Sequence, residues 1–153
     1  MSSKYLHSIV LLAALVVATS ASGKGVTVAL SVTGPGIETP LQLTDESAVD
    51  VSVWGGNFAN WEAGAVSAPA PELPRFLVHF WVELPRTDTV QLKYVVWYVW
   101  DTSQERALIY LPGPRDIWYR TNTRSILREG QDGNWFQASE PWGRAIKEAL
   151  GGA

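Results

Sequence analysis

Hydrophobic and polar residues alternate through the middle of the chain, between residues 75 and 111. The alternation divides into three segments, at about 75–84, 90–100 and 106–111, which two turn-like stretches separate. Alternation over such lengths is typical of strands with one buried face, and short connections favour hairpins. We therefore predict an antiparallel meander over residues 75–111.

One face of this meander is apolar throughout if Leu84 lies opposite Val90 and Trp100 opposite Arg106. The predicted pairs on that face are Phe76 with Tyr98, Val78 with Val96, Phe80 with Tyr94 and Val82 with Leu92, and the third strand adds Leu108 and Tyr110. Cross-strand aromatic pairs stabilise a single register. This face is the predicted core.

The other face of the meander is mixed. It is apolar around Leu77, Trp97 and Ile109, and it is polar towards the first hairpin, where Glu83 and Lys93 lie. Because an apolar patch on a sheet is normally covered, we expect partial cover of this face. The C-terminal helix is one candidate for that cover.

Patterns on both sides of the meander complete the predicted fold. Residues 134–137 form a short last strand, and Ser139 begins a terminal helix with an apolar stripe. Residues 25–33 alternate as a strand whose buried side is made of Val26, Val28, Leu30 and Val32. The predicted class is α+β, with an antiparallel β-sheet (the meander 75–111 plus flanking strands) packed with a C-terminal helix.

Two segments fit more than one interpretation. In residues 45–53, the acidic pair Asp45 and Glu46 is typical of a helix start, whereas the three valines alternate as in a strand. Residues 55–74 are rich in Gly, Ala and Pro and predict a long loop. Long ordered loops are often functional, and a passive wrap over the core fits the composition equally.

Residues 1–21 have the three parts of a secretion signal. A weakly basic start precedes the unbroken apolar run Ile9–Ala18, and small residues follow it. A membrane-spanning helix needs about 18 or more apolar residues, so this shorter run favours a cleaved signal over a retained anchor. We expect a secreted or cell-envelope protein with a single globular domain over residues 22–153. It would meet the membrane only through the signal before cleavage.

Composition narrows the chemistry. The chain has no cysteine, which excludes thiol nucleophiles and cysteine-ligated zinc or iron–sulfur sites. Its formal net charge is −3, and its scattered Lys and Arg residues give no basic stripe for nucleic acid. All eight Trp residues follow the predicted signal. Each is either a core ring or part of a stacking surface for sugars or other flat ligands.

Two places combine aromatic rings with charge, and they supply the candidate binding residues. On the mixed sheet face, Trp81 and Lys93 are predicted cross-strand neighbours beside His79. The second place is the loop after the third strand, with Arg115, Asp116, Trp118, Tyr119 and Arg120. Aromatic rings with arginine are typical of recognition surfaces. The same composition also fits rings that fold back over the sheet.

Catalytic chemistry has few candidates. His79 is the single histidine after the predicted signal, and no segment resembles a Gly-x-Ser-x-Gly elbow. We predict no catalytic residue, no metal site and no cofactor. A carboxylate pair for glycoside cleavage stays an alternative, because two acids that are distant in sequence can meet in space. The acids at predicted strand ends and turns are Glu83, Asp101, Glu105 and Asp116.

Five segments, in this order, carry a resemblance: Gly34–Gly36, Trp54–Phe58, Tyr110–Pro114, Trp118–Tyr119 and Asp132–Trp135. Together they resemble a set of small secreted bacterial proteins that have no assigned activity. The resemblance implies export and a single domain, and it implies no catalytic residue.

Three functions are compatible with these observations. The first is a non-catalytic exported protein that binds a ligand or an envelope component, which follows from the tryptophan enrichment and the predicted export. The second is a small hydrolase that uses carboxylates or His79. The third is a structural or inhibitory protein that acts on another protein.

Overall fold

A computed structural model describes residues 24–152. The predicted secretion signal, residues 1–21, lies outside the described residues. The elements in chain order are β1 (Val26–Thr33), β2 (Leu41–Leu43), α1 (Glu46–Val49), β3 (Ala65–Val66), β4 (Phe76–Leu84), β5 (Thr89–Asp101), β6 (Arg106–Tyr110), α2 (Tyr119–Ser125), β7 (Trp135–Gln137) and α3 (Glu140–Gly151).

The strands form one antiparallel sheet in the order β2-β1-β4-β5-β6-β7-β3. The meander β4-β5-β6 lies at its centre, as the alternation predicts. The α+β class, with an antiparallel sheet and a C-terminal helix, is confirmed. Two strands far from the meander in sequence, β1 and β7, pair with its outer edges.

The helix α3 packs on one face of the sheet, which we call the core face. Trp142 and Ile146 are 1% and 0% exposed there. The ring of Trp142 stacks on Phe80 with centroids 5.8 Å apart, and it meets Tyr98 edge-on at 6.2 Å. The Tyr98 hydroxyl donates a hydrogen bond to the Gly143 carbonyl at 2.8 Å. Aromatic pairs of this kind add about 0.5–1.5 kcal/mol each beyond the area that they bury, so these contacts anchor the helix.

A buried arginine ties the loop after α1 to the same core. Arg128 is 9% exposed, and its guanidinium lies 5.2–5.8 Å from the ring centroids of Phe58, Trp61 and Tyr94. It also donates to the Val53 carbonyl. A guanidinium stacks on aromatic faces while its N–H groups bond to backbone. The aromatic residues of the long loop are therefore part of the core.

The predicted register of the β4–β5 hairpin is right on one side of a β-bulge and wrong on the other. The pairs from Phe76 to Phe80 are as predicted. Beyond them, Lys93 is an extra residue in β5, so Trp81 pairs with Leu92. A bulge places two residues opposite one and displaces the pairs that follow it. The predicted pairs that are wrong for this reason are Val82 with Leu92 and Leu84 with Val90.

The second hairpin turn is one residue shorter than predicted, and the two faces of β6 are therefore the reverse of those predicted. Asp101, rather than Trp100, pairs with Arg106. Because side chains alternate between the two faces, a shift of one residue exchanges the faces of a whole strand. The core face therefore receives Ala107, Ile109 and Leu111. The predicted core residues Leu108 and Tyr110 lie on the opposite face, which we call the back face.

A second bulge, at Val28, interrupts the alternation of β1. The predicted pattern holds from Leu30 onward, but Val26 is 68% exposed. Thr27 is buried instead, and its hydroxyl donates to the Val51 carbonyl at 2.7 Å. The buried threonine is thus satisfied by the loop that follows α1.

The two ambiguous segments are mostly irregular. Residues 45–53 contain the one-turn helix α1, and the valines Val51 and Val53 follow it in a loop, where they are buried. Residues 55–74 form the predicted long loop, apart from the two-residue strand β3, which pairs with β7.

The helix α2 lies against the part of β5 that β6 does not reach, since β6 pairs only with Trp97–Asp101. Asn122, which is 0% exposed, accepts the Val95 N–H on Oδ1 at 2.8 Å and donates from Nδ2 to the Val95 carbonyl at 2.7 Å. Ser125 donates to the Lys93 carbonyl at 2.7 Å. These bonds replace those of a neighbouring strand, so α2 caps an open strand edge.

The cover of the back face differs from the predicted one. The C-terminal helix, a candidate for that cover, packs on the core face instead. The back face is covered in part by residues 113–125. They include the loop predicted around Arg115–Arg120, of which Tyr119 and Arg120 belong to α2. Within this segment, the Trp118 ring meets His79 edge-on at 5.3 Å.

Candidate ligand-binding site

Three aromatic side chains form a row across the back face. Trp97 on β5 pairs with Tyr110 on β6, which pairs with Trp135 on β7. Directly paired residues on neighbouring strands project to the same face, with Cβ atoms about 4.5–5.5 Å apart. The rings of Tyr110 and Trp135 lie 5.3 Å apart between centroids and are tilted by 39°. The sheet therefore holds three rings side by side.

These rings line a groove of about 440 Å³, which we call the aromatic groove and whose lining residues are Arg75, Trp97, Tyr110, Asp116 and Trp135. Trp97 and Tyr110 are half-buried, and Trp135 is 9% exposed. The guanidinium of Arg75 lies over the Trp135 ring, 5.3 Å from its centroid. The volume falls in the range of small-molecule sites, about 300–1,000 Å³.

Asp116 is held in the groove by the turn that follows β6. Its Oδ2 atom accepts hydrogen bonds from the Tyr110 hydroxyl at 2.8 Å and from the Gly113 N–H at 2.7 Å. The backbone closes the turn, because Asp116 N–H donates to the Gly113 carbonyl and Tyr119 N–H donates to the Asp116 carbonyl. Both side-chain bonds end on Oδ2, which leaves Oδ1 for a ligand hydroxyl.

This turn depends on a close approach of two backbone segments. A β-carbon at Gly113 would lie 2.9 Å from the Gly133 α-carbon, a separation that side chains do not adopt. Gly133 donates its N–H to the Leu111 carbonyl at 2.7 Å and has a φ of 87°, which glycine adopts without strain. The Gly113 and Asp132–Gly133 turns thus pack together and position Asp116.

The pKa of Tyr110 is raised from its ordinary value. Burial disfavours the phenolate, and both the hydrogen bond to Asp116 and the charge of that carboxylate act in the same direction. The hydroxyl therefore stays protonated at neutral pH and donates to the carboxylate. This fixes the orientation of the phenol ring in the row.

A second hollow of about 450 Å³ shares Tyr110 and Asp116 with the aromatic groove. Arg115 and Pro114 also line this hollow. Arg115 is exposed, as is Arg75 in the groove. The two neighbouring hollows therefore carry one guanidinium each, and they share a single carboxylate.

The eight binding residues that the sequence predicts separate into groups. Asp116 lines both neighbouring hollows, and Arg115 lines the second one. His79, Trp81 and Trp118 come together with Ser31 elsewhere on the back face, in what we call the His79 cluster. The remaining residues are Lys93, Tyr119 and Arg120.

Hydrogen bonds in the His79 cluster join β1 to β4. His79 Nδ1 lies 3.2 Å from the Ser31 carbonyl oxygen, and Trp81 Nε1 donates to Ser31 Oγ at 2.9 Å. Burial lowers the pKa of His79, and the contact with the Ser31 carbonyl opposes that shift. These contacts assign the cluster a role in holding the sheet and residues 113–125 together.

The other three predicted residues lie outside both groups. Lys93 is the extra residue of the β5 bulge, so its predicted pairing with Trp81 is wrong. Tyr119 begins α2 and is half-buried. Arg120 is exposed. At 100° per residue, it points away from the buried Asn122, because two helix positions differ by about 200°.

Reasoning from the sequence missed Arg75, Trp97 and Trp135 as site residues and placed Tyr110 in the core. The available signal was the presence of aromatic residues in three predicted strands of one sheet. Alternation alone does not give the relative register of those strands, which decides the faces that the rings share.

The acids of the hydrolase alternative lie in separate environments. Asp101 accepts hydrogen bonds from the Ser103 hydroxyl at 2.6 Å and N–H at 3.0 Å, and it lies 3.7 Å from Arg106 Nε. The Ser103 hydroxyl is the main cause that holds the pKa of Asp101 below its ordinary value. Glu83 and Glu105 are exposed. In the described part of the chain, no three His, Asp or Glu side chains cluster closely enough to hold a metal ion.

Another hollow, of about 520 Å³, lies between α1 and the start of α3 and is lined by the acids Glu46 and Asp50. Asn57 in its wall is engaged by backbone, since it accepts the Ser52 N–H and donates to the Asp50 carbonyl. Its aromatic residue, Trp142, is 1% exposed. This hollow presents acids without an open ring face, so we assign the candidate site to the aromatic groove.

Within residues 24–152, none of the helices has the length and apolar character needed to span a membrane. No protein-family model matches the chain, and no curated protein or solved structure is significantly similar to it.

Proposed function

We propose that this protein is a non-catalytic binding protein of the cell envelope or the extracellular space, whose ligand lies in the aromatic groove. The row Trp97–Tyr110–Trp135 is the observation that carries the proposal. Aromatic ring faces bind apolar and C–H-rich surfaces of flat ligands. Arg75 and Asp116 supply the few polar contacts that orient a ligand in such a site.

The partial exposure of the rings supports a binding role over a purely structural one. Trp97 and Tyr110 keep part of their surface open to solvent, whereas Phe80, Tyr94 and Tyr98 on the core face of the same sheet are 0% exposed. Large rings that become desolvated on binding contribute strongly to affinity. Because the sheet register positions these rings, little ordering is needed when a ligand binds.

The arrangement of polar groups supports binding rather than hydrolysis. Glycoside cleavage needs two carboxyl groups about 5–9.5 Å apart, and Asp116 is the one carboxylate among the described residues that line the groove. Its Oδ2 atom is engaged by Tyr110 and Gly113. His79, the histidine of the alternative, contacts Ser31 in a separate cluster.

Titration of the intrinsic tryptophan fluorescence of the purified protein tests the proposal. The probes are hexamers of glucose and of N-acetylglucosamine, soluble peptidoglycan fragments and tetragalacturonate. We expect at least one probe to cause a saturable change. The Trp97→Ala variant should bind that probe with about tenfold lower affinity, which corresponds to about 1.4 kcal/mol, because one stacking surface is lost.

Trp81→Ala is the matched control, because Trp81 is also a half-buried tryptophan of the back face and lies in the His79 cluster. The Trp81→Ala variant should bind the same probe with the affinity of the unmodified protein. The proposal fails if no probe binds saturably, or if Trp97→Ala and Trp81→Ala weaken binding equally.

A further inference from the structure

The exposed charged residues that line the aromatic groove and the hollow next to it are positive, although the chain as a whole is negative. The formal net charge is −3, yet the exposed charged residues that line the two neighbouring hollows are Arg75 and Arg115. Asp116, the carboxylate that both hollows share, is half-buried and already accepts two hydrogen bonds on Oδ2. A bound ligand would therefore meet guanidinium groups at two places along the floor of aromatic rings.

From these positions we propose that the ligand is an acidic glycan, a chain of pyranose rings that carry carboxylate groups. The inference rests on the proposed function and names the ligand class for that site. The C–H face of a pyranose packs on the rings of Trp97 and Tyr110. Its carboxylate pairs with Arg75 or Arg115, because the guanidinium fork matches a carboxylate in a bidentate geometry. Its hydroxyls donate to Asp116 Oδ1.

The geometry disfavours a cationic ligand. Aromatic residues bind a cation through the face of a ring, and the Trp135 ring already has the Arg75 guanidinium over it at 5.3 Å. A second cation in the groove would meet the positive charge of Arg75 at close range. The same guanidinium attracts an anion.

The geometry also favours a sugar over a nucleobase. A base stacks on a flat aromatic platform, whereas Tyr110 and Trp135 are tilted by 39° relative to each other. Tyr110 and Trp135 therefore form no flat platform for a base, whereas a puckered pyranose needs only the open surface of Trp97 and Tyr110. Single-stranded nucleic acid is nevertheless anionic and aromatic, so it belongs among the test ligands.

Isothermal titration of the purified protein with three matched ligands tests the inference. They are tetragalacturonate, its fully methyl-esterified form, which keeps the rings and removes the charges, and a thymidine pentanucleotide. We expect tetragalacturonate to bind about tenfold or more tightly than the ester, because the ion pairs to arginine strengthen the hydrogen bonds. The difference should shrink when NaCl is raised from 20 to 200 mM, since salt screens exposed charges.

Arginine variants locate the effect. The double variant Arg75→Gln, Arg115→Gln should bind tetragalacturonate no more tightly than the ester, because it lacks the guanidinium groups that distinguish a carboxylate from its ester. Arg144→Gln is the control, because Arg144 is an exposed arginine on α3, in the hollow beside Trp100 rather than in the groove. It should keep the full preference for the acid.

Each other outcome overturns the inference in a distinguishable way. Equal binding of acid and ester leaves the proposed function in place and removes the acidic ligand class. If the pentanucleotide binds more tightly than tetragalacturonate, the ligand class is nucleic acid rather than an acidic glycan. An acid preference that survives in the double variant, or that Arg144→Gln abolishes, places the ligand outside the groove. If no sugar binds, the inference fails, and the proposed function then depends on the other probes in the fluorescence titration.

Discussion

The two faces of the sheet are both rich in aromatic residues, yet they differ in how those residues are covered. On the core face, Phe80, Tyr94 and Tyr98 are 0% exposed, and Trp142 of α3 packs on Phe80 and Tyr98. On the back face, residues 113–125 cover the side near β4, and the row of the aromatic groove stays partly open.

The comparison shows that aromatic content alone does not distinguish a core from a binding surface. The rings of the core face contact one another, and polar groups among them are buried and hydrogen-bonded: the Tyr98 hydroxyl donates to the helix backbone, and the Arg128 guanidinium donates to the Val53 carbonyl. The rings of the back face have Arg75 and Asp116 beside them. Charged groups beside partly exposed rings are typical of recognition surfaces, whereas buried rings with satisfied polar atoms are typical of cores.

The largest difference between the faces is expected in stability. Trp142→Ala should lower the free energy of unfolding by about 3–5 kcal/mol, because it leaves a cavity beneath α3. Trp97→Ala should cost about 1–2 kcal/mol, since the side chain is half-buried and solvent fills its place. Urea unfolding of both variants measures the difference. Similar costs for the two would show that the back-face row is as deeply involved in folding as the core.

The next effect concerns α2, which covers part of the back face. Asn122→Ala should lower the free energy of unfolding by about 2–4 kcal/mol, because it leaves a buried N–H and a buried carbonyl of Val95 without partners. Arg120→Ala, on the exposed side of the same helix, should cost less than about 0.5 kcal/mol. Hydrogen exchange at Val95 should accelerate only in Asn122→Ala. Unchanged exchange there would mean that α2 does not cap β5.

A smaller effect is expected from the hydroxyl that holds Asp116. Tyr110→Phe keeps the ring and removes the hydrogen bond to Asp116, which should cost about 1 kcal/mol of stability. It should also weaken ligand binding, since Asp116 loses one of the two donors that orient it. Tyr119→Phe is the control and should be neutral in both measurements. If Tyr110→Phe binds ligand as the unmodified protein does, then Asp116 does not need this orientation.

The smallest effect is a pH dependence that belongs to the covered part of the back face. The pKa of His79 is lowered in the folded state, so the folded state favours the neutral ring. The contribution of His79 to the free energy of unfolding is fully present above the ordinary pKa of about 6.5. It is lost as the pH falls below that value. Urea unfolding at pH 7.5 and pH 5.5 should show a loss of stability that His79→Gln reduces. If His79→Gln loses the same stability between these two pH values, the loss comes from titratable groups other than His79.

Local alternation predicts the meander because β4 and β5 each have one apolar face that is buried over most of its length. It predicts the pairs up to Phe80 with Tyr94, and it fails at Lys93, where a bulge leaves the hydrophobic pattern almost unchanged. The predicted length of the β5–β6 turn is wrong for a related reason. A four-residue and a five-residue turn fit the same polar stretch, and the choice between them decides the face on which Tyr110 lies.

The candidate site was harder to predict than the fold because its residues meet through non-local pairs. Trp135 joins the row only through the pairing of β7 with β6, and Arg75 joins it through contact with Trp135. The helix α2 was missed because it packs through polar residues, Asn122 and Ser125, against a strand edge, and so it has no apolar stripe. Amphipathic periodicity detects helices that pack on apolar faces.

The most direct test of the open aromatic row is a titration followed through the indole N–H signals of the ¹⁵N-labelled protein. The chain has eight tryptophans, and single Trp→Phe variants assign the signals. On addition of tetragalacturonate, we predict saturable shifts of the Trp97 and Trp135 signals. The signal of Trp142, which α3 buries against the core face, should not shift. Shifts confined to Trp81 and Trp118, or no shift at Trp97 under saturating ligand, would contradict the account.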